Sequence, residues 1–226
     1  MAQAAAGKTN WFAIWISVAV VAVLALVIGI VVVMNNAATA PAARPDSAGI
    51  DESTGAVVVG TGANEIDVWV DFYCPHCQDF EDVYGPTLEE QLGDESVTLN
   101  IHPVALNSLN AASGTDFSKR SANALFCVAA DEPVAAFPFY TSVFAEKPSG
   151  AGLTDEQLVE HAEAAGSMGA AECIADRTWD DLVAEQTETI PADPETGGAG
   201  TPTVFVNGER ITLTGDAEAD IVARLN

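Results

Sequence analysis

Basic residues are scarce in this chain: lysine and arginine number 8 against 33 aspartates and glutamates, a formal charge of −25. A field of that sign repels nucleic acid and anionic lipid, which argues against both as partners of the soluble part. Acidic pairs such as Glu89-Glu90 and Asp180-Asp181 read as solvated helix surface rather than as metal ligands. Cysteine is sparse too, with Cys74, Cys77, Cys127 and Cys173 the four present. A second close cysteine pair and a histidine pair at finger spacing are both missing, so structural zinc is not expected. No internal repeat is visible.

Charge is absent altogether from Thr9 to Ala43. Within that stretch Trp11 to Met34 is almost wholly apolar, 24 residues interrupted chiefly by Ser17. As a helix it would be about 36 Å long, enough to cross a hydrocarbon core of about 30 Å. A core helix of a soluble protein is rarely apolar on every side. Ala38-Thr39-Ala40 has the small-x-small pattern of a signal-peptide cleavage site, but a signal h-region is shorter, about 7–15 residues. The segment 11–34 therefore reads as an uncleaved transmembrane helix, with Trp11 and Trp15 at one interface. Lys8 and the terminal amine precede it, whereas Arg44 beyond it is offset by Asp46. By the positive-inside rule residues 1–10 are cytoplasmic and the remainder lies outside, on a single-pass anchor in the cell membrane. Residues 35–54, rich in Ala, Pro, Ser, Gly and Asn, read as a flexible linker. Residues 55–226 are long enough for one domain with its own core. In an oxidising compartment Cys127 and Cys173 read as a structural disulfide, with two free buried thiols as the alternative. On a chain-entropy estimate the bridge is worth roughly 3–4 kcal/mol.

The domain reads as a mixture of strands and helices. Val57–Val59 is a short β-branched run, and Ile66–Tyr73 alternates with a period of two. That strand runs directly into Cys74-Pro75, and proline suits the first position of a helix over Gln78–Leu92 ending at Gly93. Val97–Val104 has strand character. Helical signals then cluster in an insertion at about 110–190: Ser118–Ala130, Pro133–Ala145 with a break at Pro138, a capping box at Thr154 and Gln157, Ala170–Ala175 and Trp179–Thr187. Thr203–Val206 and Glu209–Leu213 flank Asn207-Gly208, a strong hairpin signal, and Asp216–Leu225 reads as a closing helix. The class is α/β, a sheet covered by helices.

Two thiols separated by two residues at a strand–helix junction suit reversible disulfide chemistry. Cys74 would sit at the helix N-terminus, where unpaired N–H groups and the dipole favour a thiolate, and His76 could support it. Cys77, one turn in, would be the resolving thiol. Far downstream Thr201-Pro202 follows Gly197-Gly198-Ala199-Gly200, and an X-Pro bond can be cis at small cost.

Asp71-Phe72-Tyr73-Cys74-Pro75-His76-Cys77 and Gly200-Thr201-Pro202-Thr203-Val204-Phe205-Val206-Asn207-Gly208 resemble the DsbA family of disulfide oxidoreductases, over about Val57 to the C-terminus. The resemblance implies a thioredoxin-like fold with a helical insertion, preceded here by one N-terminal transmembrane helix. It implies catalysis by Cys74 and Cys77 with Pro75 and His76, and substrate binding by Thr201 and Pro202. It calls for no cofactor and no metal. The implied partners are reduced exported proteins as substrates and a membrane quinone-linked oxidase of the DsbB or vitamin K epoxide reductase type. Oxidase action is the first expectation, since no dimerisation domain of the kind found in isomerases precedes the fold. A reductase or isomerase kept reduced by a membrane carrier, or a copper-binding or chaperone module, are the alternatives. Copper(I) sites on this fold usually use a distal histidine, and none follows His161. The sequence departs from thioredoxin at Val68, six residues before Cys74, where several relatives carry a buried acid for proton transfer. Asp71, three residues before Cys74, is a common feature of the family and reads either as a proton carrier or as a solvent-facing or capping residue, and His102 and His161 read as structural.

Overall fold

The structure, a computed structural model, describes residues 10–38 and 41–226. It forms two units, Met1–Pro41 and Ala42–Asn226. Residues 1–9, expected in the cytoplasm and including Lys8, and Thr39 and Ala40 of the small-x-small triplet lie outside the described residues.

In the first unit helix α1 spans Trp11–Ala38 and is long and apolar enough to cross a membrane. It continues past Met34 because Asn35-Asn36-Ala37-Ala38 offers neither glycine nor proline to stop it. The expected linker over 35–54 also needs correction at its far end. From Ala42 onward the chain lies on the second unit: Arg44 pairs with Glu185, Ser47 Oγ donates to Ala129 O at 2.8 Å, and Ile50 is buried. A composition poor in large apolar residues hid this docking, which rests on one isoleucine and a few polar anchors.

In the second unit five strands among the described residues form one sheet in the order β1-β3-β2-β4-β5. They are β1 (Val57–Gly60), β2 (Asn64–Val70), β3 (Val97–Pro103), β4 (Thr203–Val206) and β5 (Glu209–Arg210). β2 and β3 run parallel, joined through helix α2 (Pro75–Gly93), while β1 and β4 flank them antiparallel. The period of two in β2 is realised as burial of Asn64, Ile66, Val68 and Val70, with Glu65 exposed. α2 buries Cys77, Phe80, Tyr84 and Leu88, one stripe at helical spacing. Asn207 and Gly208 both take positive φ, as a primed hairpin turn requires, but β5 ends at Arg210, short of the expected Leu213.

The insertion between β3 and β4 holds α3 (Asn107–Ser113), α4 (Phe117–Asp131), α5 (Ala136–Ala145), α6 (Asp155–Ala165), α7 (Ala170–Asp176) and α8 (Asp180–Glu188). α4 is its centre: small alanines let neighbours approach on all sides, and eleven of its residues are buried. The run Pro133–Ala145 is divided as Pro138 implied: Pro133–Ala135 forms a 3-10 turn, and α5 starts afresh at Ala136 with Pro138 in its first turn. Thr154 and Gln157 complete the capping box of α6. Cys127 of α4 and Cys173 of α7 are disulfide-bonded, with Cα atoms 5.7 Å apart. The closing helix is shorter than expected, α9 (Ala217–Asp220) followed by a 3-10 turn.

Candidate active site

β2 ends at Val70, and Asp71 turns the chain into α2. Asp71 is fully buried: its Oδ1 accepts from Tyr73 N at 2.9 Å and its Oδ2 from Leu106 N at 2.8 Å. It therefore braces the loop after β3 as well as the turn before α2, and burial pushes its carboxyl up to about 6. Cys74 N donates to Asp71 O at 3.0 Å, which sets Cys74 as the residue before the helix, with Pro75 at its first position. Cys77 N and Gln78 N donate to Cys74 O at 3.0 and 3.1 Å and start the helical ladder.

Cys74 and Cys77 carry free thiols in this structure. Cys74 is 6% exposed and Cys77 fully buried. Their acidities diverge. Cys74 falls to about 5, chiefly because the Cys77 thiol stabilises its anion, against desolvation, with further help from Thr201 and the backbone N–H groups of Cys77 and His76. Cys77 is pushed well above the usual thiol range, first by burial and then by the Cys74 sulfur beside it. One thiol is poised as an anion and its neighbour is held protonated.

The distant segment arrives where the sequence suggested. The Thr201-Pro202 peptide bond is cis. In its protonated state Cys74 Sγ donates to Thr201 O at 3.5 Å. The Thr201 hydroxyl, buried and otherwise unpartnered among the described residues, faces the two sulfurs. The His76 imidazole points outward, its Nδ1 3.9 Å from Asp79, so that His76 reaches Cys74 through its backbone rather than its ring. Beside the thiols an open groove runs between α2 and the β4–β5 side, with His76, Val83, Asp193, Pro202 and Arg210 on its walls. On the other side the insertion closes over the site: Tyr73 Oη donates to Gly150 O at 2.7 Å and Gln78 Nε2 to Pro148 O at 3.0 Å. Gly152 stacks against the Phe117 ring, where a Cβ would come within 2.2 Å of it.

A thioredoxin family model matches residues 54–221. The chain belongs to the thioredoxin family. Among solved structures it is similar to DsbA from Mycobacterium tuberculosis in its reduced form, at 26% identity, covering 76% of this chain and 85% of that one with a TM-score of 0.59. It is also similar to the disulfide bond oxidoreductase DsbG of that organism, at 26% identity over 73% of this chain and 76% of that one, TM-score 0.56. The thiol-disulfide oxidoreductase MdbA from Corynebacterium matruchotii, at 20% identity, shares the fold over 80% of this chain and 92% of its own, TM-score 0.61. No curated protein matches the chain. With its thiol pair at the strand–helix junction, this thioredoxin-family member is a protein disulfide oxidoreductase of the DsbA type.

Glu81 and Tyr140 escaped the sequence reading. Tyr140, fully buried on α5, donates a hydrogen bond to Glu81 Oε1, one helical turn beyond Cys77. The four-residue spacing from Cys77 was the available signal; the tyrosine comes from packing that sequence spacing does not disclose. His102 is held at Nδ1 by Gln186 Oε1 at 2.9 Å and stacks on Trp69, and His161 Nδ1 lies 3.0 Å from Ser142 Oγ, both away from the thiols.

Proposed function

We propose that this protein is an extracytoplasmic oxidase that donates a Cys74–Cys77 disulfide to exported proteins. α1 holds it in the cell membrane with the N-terminus in the cytoplasm. The observation that carries the reading is the divergence of the two thiols, Cys74 lowered to about 5 and Cys77 raised well above 9. A thiolate stabilised in the reduced state makes the disulfide readily reduced, hence strongly oxidising.

The reaction follows from that asymmetry. A substrate thiolate attacks Cys74 Sγ, the Cys74–Cys77 bond breaks, and Cys77 leaves and takes up a proton. A second substrate thiol, once deprotonated, attacks the substrate sulfur of the mixed disulfide. Cys74 departs as the stabilised thiolate, and two electrons have passed from substrate to enzyme. Pro75 opens the helix without presenting an N–H that would need a partner. Thr201 and Pro202 hold the substrate chain against Cys74, and the outward His76 ring meets the substrate rather than the sulfur. A membrane quinone-linked oxidase of the DsbB or vitamin K epoxide reductase type takes the electrons and restores the disulfide.

The decisive measurement is the reduction potential of the full-length protein in detergent. A value nearer about −120 mV than about −270 mV is expected; a value near that of cytoplasmic thioredoxin turns the direction to reduction. In cells, Cys77→Ala should accumulate mixed disulfides between Cys74 and exported proteins, and a folded, membrane-bound variant that traps none overturns the substrate assignment.

A further inference from the structure

Cys77 must lose a proton when the disulfide closes and gain one when it opens, yet it is fully buried. The position six residues before Cys74 offers nothing, since Val68 is apolar and fully buried in β2. Asp71 is buried too, but both its oxygens are taken by backbone N–H groups of Tyr73 and Leu106. Glu81 differs on each count. It stands four residues after Cys77 on α2, which puts the two side chains on one face of the helix. Its Oε1 accepts from Tyr140, while its Oε2 has no hydrogen bond among the described residues. Protein atoms crowd the carboxyl, yet the residue keeps part of its surface at solvent. It thus stands one helical turn from the buried thiol, with part of its own surface at water.

We propose that Glu81, oriented by the Tyr140 hydroxyl, is the proton-handling residue for Cys77. This rests on the disulfide-exchange reading above and deepens it. As the disulfide opens, the departing Cys77 thiolate receives the proton of the Glu81 carboxyl. As it closes, Cys77 returns that proton to the Glu81 carboxylate, its sulfur attacks Cys74, and the partner thiolate leaves from the mixed disulfide. Glu81 then exchanges its proton with water. Burial, chiefly, pushes its carboxyl up to about 7, with Asp82 adding to the rise and Tyr140 opposing it, so both protonation states are populated near neutrality. Tyr140 is itself pushed up by burial first, then by Glu81 and by the Cys77 sulfur, which places the phenol within electrostatic reach of that thiol. Asp82 is tied to Lys147 at 2.6 Å. The other elements packed on α2 spend their titratable groups elsewhere: Asp220 of α9 is taken by Tyr84 and Thr214, and His102 of β3 by Gln186 and Asp67.

The test mixes reduced full-length protein in detergent with equimolar dithiobis(nitrobenzoate) in a stopped-flow instrument. Attack by Cys74 on the reagent releases a first nitrothiophenolate; closure by Cys77 releases the second. In the wild type the second phase should quicken with pH through an inflection near 7. Glu81→Gln keeps an acceptor for Tyr140 and should leave the first phase within about twofold while slowing the second about tenfold or more at neutral pH, with the inflection gone. Tyr140→Phe should move the inflection upward, because it removes the hydrogen bond that lowers Glu81. Glu81→Asp should keep an inflection, and with Tyr140→Phe it carries the test if Glu81→Gln fails to fold. A second phase unchanged in Glu81→Gln, or a loss shared equally by both phases, overturns the proposal. Absence of the first phase from the wild type overturns instead the exchange chemistry on which it rests, and the proposal with it.

Discussion

Replacing Cys77 by alanine removes the thiol that does most to lower Cys74. The alkylation rate of Cys74 against pH should then show an inflection well above about 5, where burial raises it against the lowering by Thr201 and the helix-start N–H groups that persist. An inflection still at about 5 would assign the acidity to Thr201 and the backbone N–H groups rather than to Cys77. At this scale the candidate site was legible. Cys74 and Cys77 declare themselves by spacing and by the strand that feeds them, and Thr201-Pro202 by its place before a strand. What was illegible depends on contacts across the chain. Asp71 looked like a surface or capping carboxylate, yet its second oxygen belongs to Leu106, 35 residues on. His76 looked like a direct partner for the thiolate, and nothing in the motif reveals that its ring swings toward Asp79.

At the scale of elements, the bridge between α4 and α7 closes a separation of 46 residues. Converting Cys127 and Cys173 together to serine should lower unfolding stability by about 3–4 kcal/mol in urea titrations, while leaving the Cys74–Cys77 pair able to cycle. A loss below about 1 kcal/mol would mean that the packing of α4 alone holds the insertion. Where local chemistry decides an element, the sequence announced it. The alternation of Ile66–Val70, Pro75 opening α2, the box at Thr154 and the turn at Asn207-Gly208 all needed only neighbours. Where tertiary packing decides, it did not. α3 has no apolar period of its own and ends at Gly114 in the left-handed region. β5 ends at Arg210 although its partner β4 runs back to Thr203, and only the Ile211 N–H carries the pairing on, to Val204 O at 3.0 Å.

The whole molecule should report its redox state in its acid stability. Cys74 titrates at about 5 when folded and reduced, against about 9 for a free thiol. A depressed folded value contributes stability that is complete above the unfolded value and is lost as pH falls through the folded one. The reduced protein should therefore gain on the oxidised protein from about pH 5 to about pH 9, and the difference should cease to change with pH below that window. Asp71 and Glu81 are raised, so their contribution is fullest in acid and is lost through about 6 and about 7. They act in both redox states and largely cancel in the comparison. Paired denaturant titrations of the two forms across this range check the sign, and a difference that stays the same from about pH 5 to about pH 8 would contradict it.

The bridge between Cys127 and Cys173 also bears on how the molecule comes into being. If the oxidase reading holds, a newly exported copy arrives with four thiols, two of which are substrates for the chemistry of the other two. Under the oxidase reading each copy is a client before it is a donor, matured by copies that preceded it. Such a population renews itself by inheritance: the oxidised state passes from older molecules to younger ones, and a cell that lost every finished copy would recover the activity only as fast as slower oxidants could complete the first new one.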